Sequence, residues 1–104
     1  MKTIPYRLFF KAFSNETRLG IINTLRNGHQ KNVTEICNEL DFEQSRVSHN
    51  LSCLIDCGFV EVKRNGKERI YSLNKDTIKP MINLIDRHIK KYSKHLHRCG
   101  VLKR

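Results

Sequence analysis

A chain of 104 residues with 20 Lys and Arg against 10 Asp and Glu, formal net charge +10 and 38% hydrophobic residues has room for one modest core and favours an anionic partner. It holds no apolar run of the ~20 residues that a membrane span needs. Its amino terminus lacks the basic flank, apolar stretch and small-residue cleavage site of a secretory leader, so a cytoplasmic protein with no membrane partner is expected.

After Pro5, the apolar positions Leu8, Phe9, Ala12 and Phe13 recur at helical spacing and predict a first helix ending near Ser14 and Asn15. Asn15 then caps a second helix reaching about Arg26, with Leu19, Ile22 and Leu25 inward and Asn27-Gly28 as its stop. Gly20 inside that helix costs roughly 1 kcal/mol relative to Ala, which suggests close packing against a neighbour. A third helix covers about Val33 to Leu40, with Val33, Ile36, Cys37 and Leu40 inward. The fourth, about Gln44 to Cys57, buries Val47, Leu51, Leu54 and Ile55 at i, i+4, i+7 and i+8, and Gly58 marks its end. Ser45, Ser48, His49, Ser52 and Asp56 project away from that stripe, with Arg46 and Asn50 on its flanks. Gln44 stands at the amino end, the end of such a helix that enters a DNA major groove most deeply.

Phe59 to Lys63 and Lys67 to Leu73 predict a β-hairpin turning at Asn65-Gly66. A three-residue loop, Arg64-Asn65-Gly66, would set Val60 opposite Ile70 and Glu61 opposite Arg69. A two-residue loop would pair Val60 with Tyr71 and Glu61 with Ile70. The first register matches opposite charges and is preferred; it leaves Lys63, Arg64 and Lys67 around the tip for phosphates. A last helix from about Thr77 to Cys99 tolerates Pro80 in its first turn and stops at Gly100. Its positions Ile78, Ile82, Ile85, Ile89, Tyr92 and Leu96 are spaced 4, 3, 4, 3, 4, a seam suited to packing against a second helix and hence to a homodimer.

Charge is unevenly spread. Residues 1–59 hold seven Lys and Arg against six acids, whereas residues 60–104 hold thirteen against four, so the hairpin and last helix carry the positive field. A short helix with hydrogen-bonding side chains outward, followed by a cationic hairpin, is suited to reading a major groove while gripping the adjacent backbone. The expected architecture is therefore mainly α with a small β-hairpin, a single winged helix-turn-helix domain over residues 1–104 whose partner is double-stranded DNA. The candidate DNA-contacting residues are Gln44, Ser45, Arg46, Ser48, His49, Asn50, Ser52, Lys63, Arg64 and Lys67.

These segments resemble the ArsR/SmtB family of winged-helix repressors across nearly the whole chain. The similarity lies in Phe9-Phe-Lys-Ala-Phe-Ser-Asn-Glu-Thr-Arg-Leu-Gly-Ile-Ile, in Ser45-Arg-Val-Ser-His-Asn-Leu with Gly58-Phe-Val, and in Lys63-Arg-Asn-Gly-Lys-Glu-Arg-Ile-Tyr-Ser-Leu. The resemblance implies a homodimer built on the first and last helices, binding an inverted-repeat operator and blocking transcription until an inducer releases it. Family members that bind thiophilic metals carry several cysteines at the start of the third helix; here only Cys37 matches, with Asn32 and Thr34 at the other positions. Members with a zinc site on the last helix use Asp, His, His and Glu where this chain has Lys75, Thr77, His88 and Lys91, so that site is read as lost. No cofactor is assigned.

Four cysteines, Cys37, Cys53, Cys57 and Cys99, form neither a dense disulfide framework nor a paired Cys-x-x-Cys zinc site, and reduced thiols are the default. His88, His95 and Cys99 share a face of the last helix and are weak metal candidates. A redox variant of the family links a front cysteine to one on the last helix, for which Cys37 and Cys99 are the candidates. An alternative function is a winged RNA-binding or protein-interaction module using the basic last helix through Arg87, Lys90, Lys91, Lys94 and Arg98. Enzymatic chemistry is not expected: there is no Gly-rich phosphate loop, no carboxylate pair with a cleft and no nucleophile with an oriented base.

Overall fold

The computed structural model describes residues 1–103. Its order is α1 (Thr3–Phe13), α2 (Glu16–Thr24), α3 (Val33–Leu40), α4 (Gln44–Asp56), β1 (Val60–Asn65), β2 (Glu68–Leu73) and α5 (Ile78–Arg98), the α-α-α-α-β-β-α arrangement expected. The chain forms two compact units, Met1–Asn74 and Lys75–Arg104. The helix-turn-helix of α3 and α4 and the two-stranded wing lie in the first, and α5 lies in the second. Among the described residues no helix is long and apolar enough to cross a membrane.

The core of the first unit is built from Ile21, Ile22, Leu25, Ile36, Val47, Leu51, Leu54 and Phe59, all almost fully buried. Phe59, just after α4, takes the ring of Phe9 at 4.9 Å and that of Phe13 at 4.9 Å between centroids. These contacts settle which face of α1 turns inward. Nearly all of α1 is apolar, so several arcs of the helix compete for the core, and the aromatic arc with Ala12 takes it. Leu8, expected inward, is instead 62% exposed beside the exposed Ile4.

A second correction falls on α2. Leu19 is 46% exposed, whereas Ile22 and Leu25 are buried as expected and are joined by Thr17, Ile21 and Thr24. The threonines are buried because their hydroxyls are matched: Arg46 Nε donates to Thr17 Oγ1 at 2.7 Å and Lys31 Nζ to Thr24 Oγ1 at 2.7 Å. Helix α2 is capped by Asn15, whose side chain accepts from the Arg18 amide, and the chain leaves through left-handed Asn27 (φ 63°) and Gly28 (φ 76°). Gly20 is not sterically required: a methyl there would stand 3.5 Å from Leu40 Cδ2 and 3.9 Å from Phe42 Cε2, ordinary van der Waals contact.

Arg18 connects three helices. Its Nε donates to the Ala12 carbonyl at 2.6 Å, Nη2 to the Lys11 carbonyl at 3.2 Å and Nη1 to Asn50 Oδ1 at 3.1 Å. The Ala12 carbonyl at the end of α1 gains a donor, the Lys11 carbonyl, which also accepts from the Ser14 amide and hydroxyl, gains a further one, and α4 is drawn to the same guanidinium.

The wing adopts neither expected register. Val60 pairs with Leu73, Glu61 with Ser72, Val62 with Tyr71, Lys63 with Ile70, Arg64 with Arg69 and Asn65 with Glu68, so the loop is the two residues Gly66-Lys67. Gly66 has φ 67°, and glycine at the first central position is the pattern of a II′ hairpin turn. Burial decides the register: Val60, Tyr71 and Leu73 share the inner face and are all buried. The preferred three-residue loop would have turned Val60 to the face away from Tyr71 and Leu73; the two-residue alternative keeps that face but displaces the pairing by two residues. The wing's base is held by a bridge in which Lys31 and Tyr71 exchange both backbone hydrogen bonds, at 3.1 and 2.8 Å.

Replacing Arg18 with Met should lower stability by about 2–3 kcal/mol, the range for hydrogen bonds from a charged donor, seen as a lower urea midpoint at constant slope. Gly20→Ala should raise stability by up to about 1 kcal/mol in the same assay. Lys31 also salt-bridges Glu39; this contact, then the Thr24 hydrogen bond, holds the Glu39 carboxyl below its ordinary 4.5. A depressed folded value means stability present above the unfolded value and lost as pH falls through the folded one. Lys31→Met should therefore flatten the decline of the urea midpoint as pH drops below 4.5.

Candidate nucleic-acid interface

Helix α3 begins with a reciprocal capping box: the Asn32 side chain accepts from the Glu35 amide, and the Glu35 side chain accepts from the Asn32 amide. It ends at Asp41 in the left-handed conformation, φ 57°, a sharp turn before α4. Phe42 in that turn is half-buried and supports the residue most relevant to recognition. The Arg46 guanidinium lies 3.7 Å from the Phe42 ring centroid while its Nε donates to Thr17. Its position is thus fixed by a cation–π contact and a hydrogen bond, although the side chain remains exposed.

The outward set on α4 is largely as expected. Gln44, Ser45, Arg46, His49 and Ser52 are exposed, and Ser48 is half-buried. Asn50 is the correction: it is 8% exposed, its Nδ2 donates to the Arg46 carbonyl at 2.9 Å and its Oδ1 accepts from Arg18. Both ends of the amide are engaged within the protein, so Asn50 holds α4 in place and is removed from the contact set.

On the wing, Lys63, Arg64 and Lys67 are all exposed. The observed register distributes them: Arg64 lies opposite Arg69 on one face, Lys63 opposite Ile70 on the other, and Lys67 occupies the turn. Arg69 is the residue that the expected registers concealed. Directly opposed like charges destabilise a strand pair, and an anion between Arg64 and Arg69 would relieve that repulsion. Ser48, Lys67 and Arg69 also line a cavity of about 320 Å³ with Asn32, Thr34 and Tyr71, where the wing meets the start of α3. Glu68, on the same strand, accepts a hydrogen bond from Asn32 Nδ2, which ties the wing to that cap.

Neither metal position implied by the resemblance keeps its full ligand set. Asn32 and Thr34 supply no thiolate beside Cys37, and Lys75 and Lys91 would repel a cation where the resemblance would need carboxylates. Among the described residues no three His, Cys, Asp or Glu side chains converge. His88 and His95 instead flank Tyr92, with ring centroids at 4.7 and 5.8 Å. All four cysteines are free. Burial, then the neighbouring Cys53, pushes the Cys57 thiol up, away from the reactive thiolate.

The seam on α5 is divided. Ile78 and Ile82 are already buried within the chain, whereas Ile85, Ile89, Tyr92 and Leu96 are 37–44% exposed. On α1, Ile4, Tyr6, Leu8 and Phe10 are more than half exposed. Each of these two helices thus leaves several large apolar side chains exposed to solvent.

Residues 15–62 match the family described as "Bacterial regulatory protein, arsR family". HlyU of Vibrio cholerae, a transcriptional activator, is 31% identical over 77% of this chain and 73% of its own, and its solved structure superposes with a TM-score of 0.70 at 30% identity, covering 79% and 88% of the two chains. The chain belongs to the ArsR family. It is accordingly a DNA-binding transcriptional regulator with a winged helix-turn-helix. A probable mercury resistance operon repressor of Streptomyces lividans is 34% identical over 73% of this chain; the matched stretch spans 60% of that relative's length. The homodimeric winged helix-turn-helix domain Mb0332 of Mycobacterium bovis superposes with a TM-score of 0.74 at 26% identity, covering 83% of this chain and 79% of that one.

Asn50→Ala should cost about 1–3 kcal/mol of stability by leaving the Arg18 guanidinium short of an acceptor. His49→Ala, on the exposed face, should stay within about 0.5 kcal/mol of the parent. Paired denaturation curves check the contrast.

Proposed function

We propose that this ArsR-family protein acts as a homodimeric repressor. Two copies join through the exposed apolar faces of α1 and α5, and each inserts α4 into the major groove of one half of an inverted-repeat operator. The carrying observation is Arg46, exposed and already oriented by Phe42 and Thr17, beside the outward Ser45 and His49 and next in chain order to a cationic wing. Arg is well suited to bidentate contact with guanine O6 and N7, and serine and histidine add shorter polar contacts. Lys63, Arg64, Lys67 and Arg69 serve the phosphates, which position the protein without selecting sequence.

Dimerisation is supported by the homodimeric Mycobacterium neighbour and by the exposure of Ile4, Leu8, Ile85 and Ile89. Two-fold symmetry would set the two copies of α4 about 34 Å apart, one turn of duplex. Repression is supported by the name of the Streptomyces relative; HlyU, a transcriptional activator, makes the sign a matter for direct test. The RNA or protein-interaction alternative draws on no observation in α4 or the wing.

Footprinting on the DNA upstream of the protein's own gene should reveal one protected imperfect palindrome. Arg46→Ala with His49→Ala should reduce discrimination between that palindrome and random duplex by about 1–3 kcal/mol per lost base contact. Lys63→Gln, Arg64→Gln and Lys67→Gln together should weaken every sequence alike and lower the log-log salt slope by about 0.9 for each phosphate contact removed. Ile89→Lys should shift the dimer to monomer by light scattering and abolish protection. A wild-type monomer that still protected a full palindrome would overturn the dimer, and a fall in reporter transcription on deleting the gene would overturn repression.

A further inference from the structure

Most of the net positive charge lies outside the unit that carries α4 and the wing. Residues 1–74 hold eleven Lys and Arg against eight acids, whereas residues 75–104 hold nine against two. Seven of the ten net charges therefore belong to the second unit, which contributes nothing to the proposed reading contacts.

The charge on α5 is ordered. At about 100° per residue, Arg87, Lys91, Lys94 and Arg98 fall within about 60° of one another, on the side of the helix opposite the Ile85, Ile89, Tyr92 and Leu96 seam. All four are exposed. They follow one another at spacings of 4, 3 and 4, so each lies against the next as a like charge, an arrangement that destabilises an isolated helix. A helix that only needed solubility would intersperse acids, and the sole acid on α5, Asp86, sits on the flank beside Lys90. The helix dipole favours cations in the last turn; that accounts for Arg98 but not for Arg87 or Lys91, which lie farther from the end.

We propose that the row Arg87, Lys91, Lys94 and Arg98 is a second, sequence-independent binding surface for the phosphate backbone of duplex DNA. The row is about 16 Å long, and duplex DNA presents roughly ten charges over that length. Three features select this occupant. A membrane-bound helix would have to bury its apolar seam at the bilayer surface, and the proposed dimer already occupies that seam. A protein hot spot sets its arginines among desolvated aromatic anchors, and the row contains no aromatic residue. DNA, by contrast, requires only regularly spaced cations. The surface is independent of the α4 reading: it needs neither a palindrome nor base contacts.

The test uses the full chain and a random-sequence duplex, with affinity followed by fluorescence anisotropy between 50 and 200 mM salt. A variant with the charged and histidine contacts of α4 and the wing removed (R46A, H49A, K63Q, R64Q, K67Q, R69Q) should still bind. Its salt slope should be about 3 to 4, equivalent to about a hundredfold weakening across that range. Adding R87Q, K91Q, K94Q and R98Q should abolish this binding, whereas R87K with R98K should retain it. Glutamine is a good helix former, and unchanged circular dichroism would show that the fold persists. Loss of all duplex binding on removing the α4 and wing contacts alone would overturn the proposal, as would an unchanged isotherm after the four α5 substitutions. Preference of the row for single-stranded RNA or for phosphatidylserine vesicles over duplex would also overturn it. Failure of the operator reading would register instead as absent palindrome protection, a separate measurement.

Discussion

The position of α4 rests on one guanidinium. Arg18 satisfies carbonyls at the end of α1 and the Asn50 amide of α4, so three helices are joined through a group that cannot shed its charge and must be matched by acceptors wherever it is sheltered from water. Asn50 in turn donates to the Arg46 carbonyl, one turn earlier on α4. This chain of contacts fixes the rotation of α4 about its own axis. With Asn50 turned inward, Ser45, His49 and Ser52 have no choice but to face out. Packing of Val47, Leu51 and Leu54 holds the helix down, while the polar contacts choose among rotations that an apolar stripe alone would permit.

A comparable joint sets the wing. Lys31 bridges to Tyr71 through the backbone and to Thr24 and Glu39 through its ammonium, while Asn32 caps α3 and also donates to Glu68. Residues 31 and 32 thus fasten the base of the hairpin to the start of the helix-turn-helix, and Lys63 to Lys67 remain exposed beyond the fastening. The wing is fastened at its base and exposed at its tip, which suits a hairpin that follows a backbone rather than reads bases.

Element order, helix limits and the outward set on α4 were legible in the sequence because they rest on local signals. Asn15 announces a helix start, Gly58 a stop, and Val47, Leu51 and Leu54 a clean stripe. The failures share a cause, which is that tertiary partners override local pattern. Leu8 loses to Phe9 and Phe13 only because Phe59 waits for aromatic rings. The stripe on α2 is disguised because Thr17 and Thr24 read as polar until Arg46 and Lys31 supply their partners. The hairpin register followed the burial of Val60, Tyr71 and Leu73 rather than the attraction between Glu61 and Arg69, since several buried side chains outweigh one exposed ion pair. The inward turn of Asn50 and the role of Arg18 are hidden from the sequence for a single reason: their contact spans 32 positions, a distance no periodicity can report.

The seat of Arg46 on Phe42 has a further consequence. A long, flexible side chain ordinarily surrenders rotational freedom when it meets a partner, about 0.5–1.5 kcal/mol for one of this kind. Here much of that loss is incurred when the protein folds, by an aromatic shelf supplied from the turn. Recognition then begins with a probe already held still, and the turn residue, touching no base itself, would influence how tightly and how selectively the double helix is held.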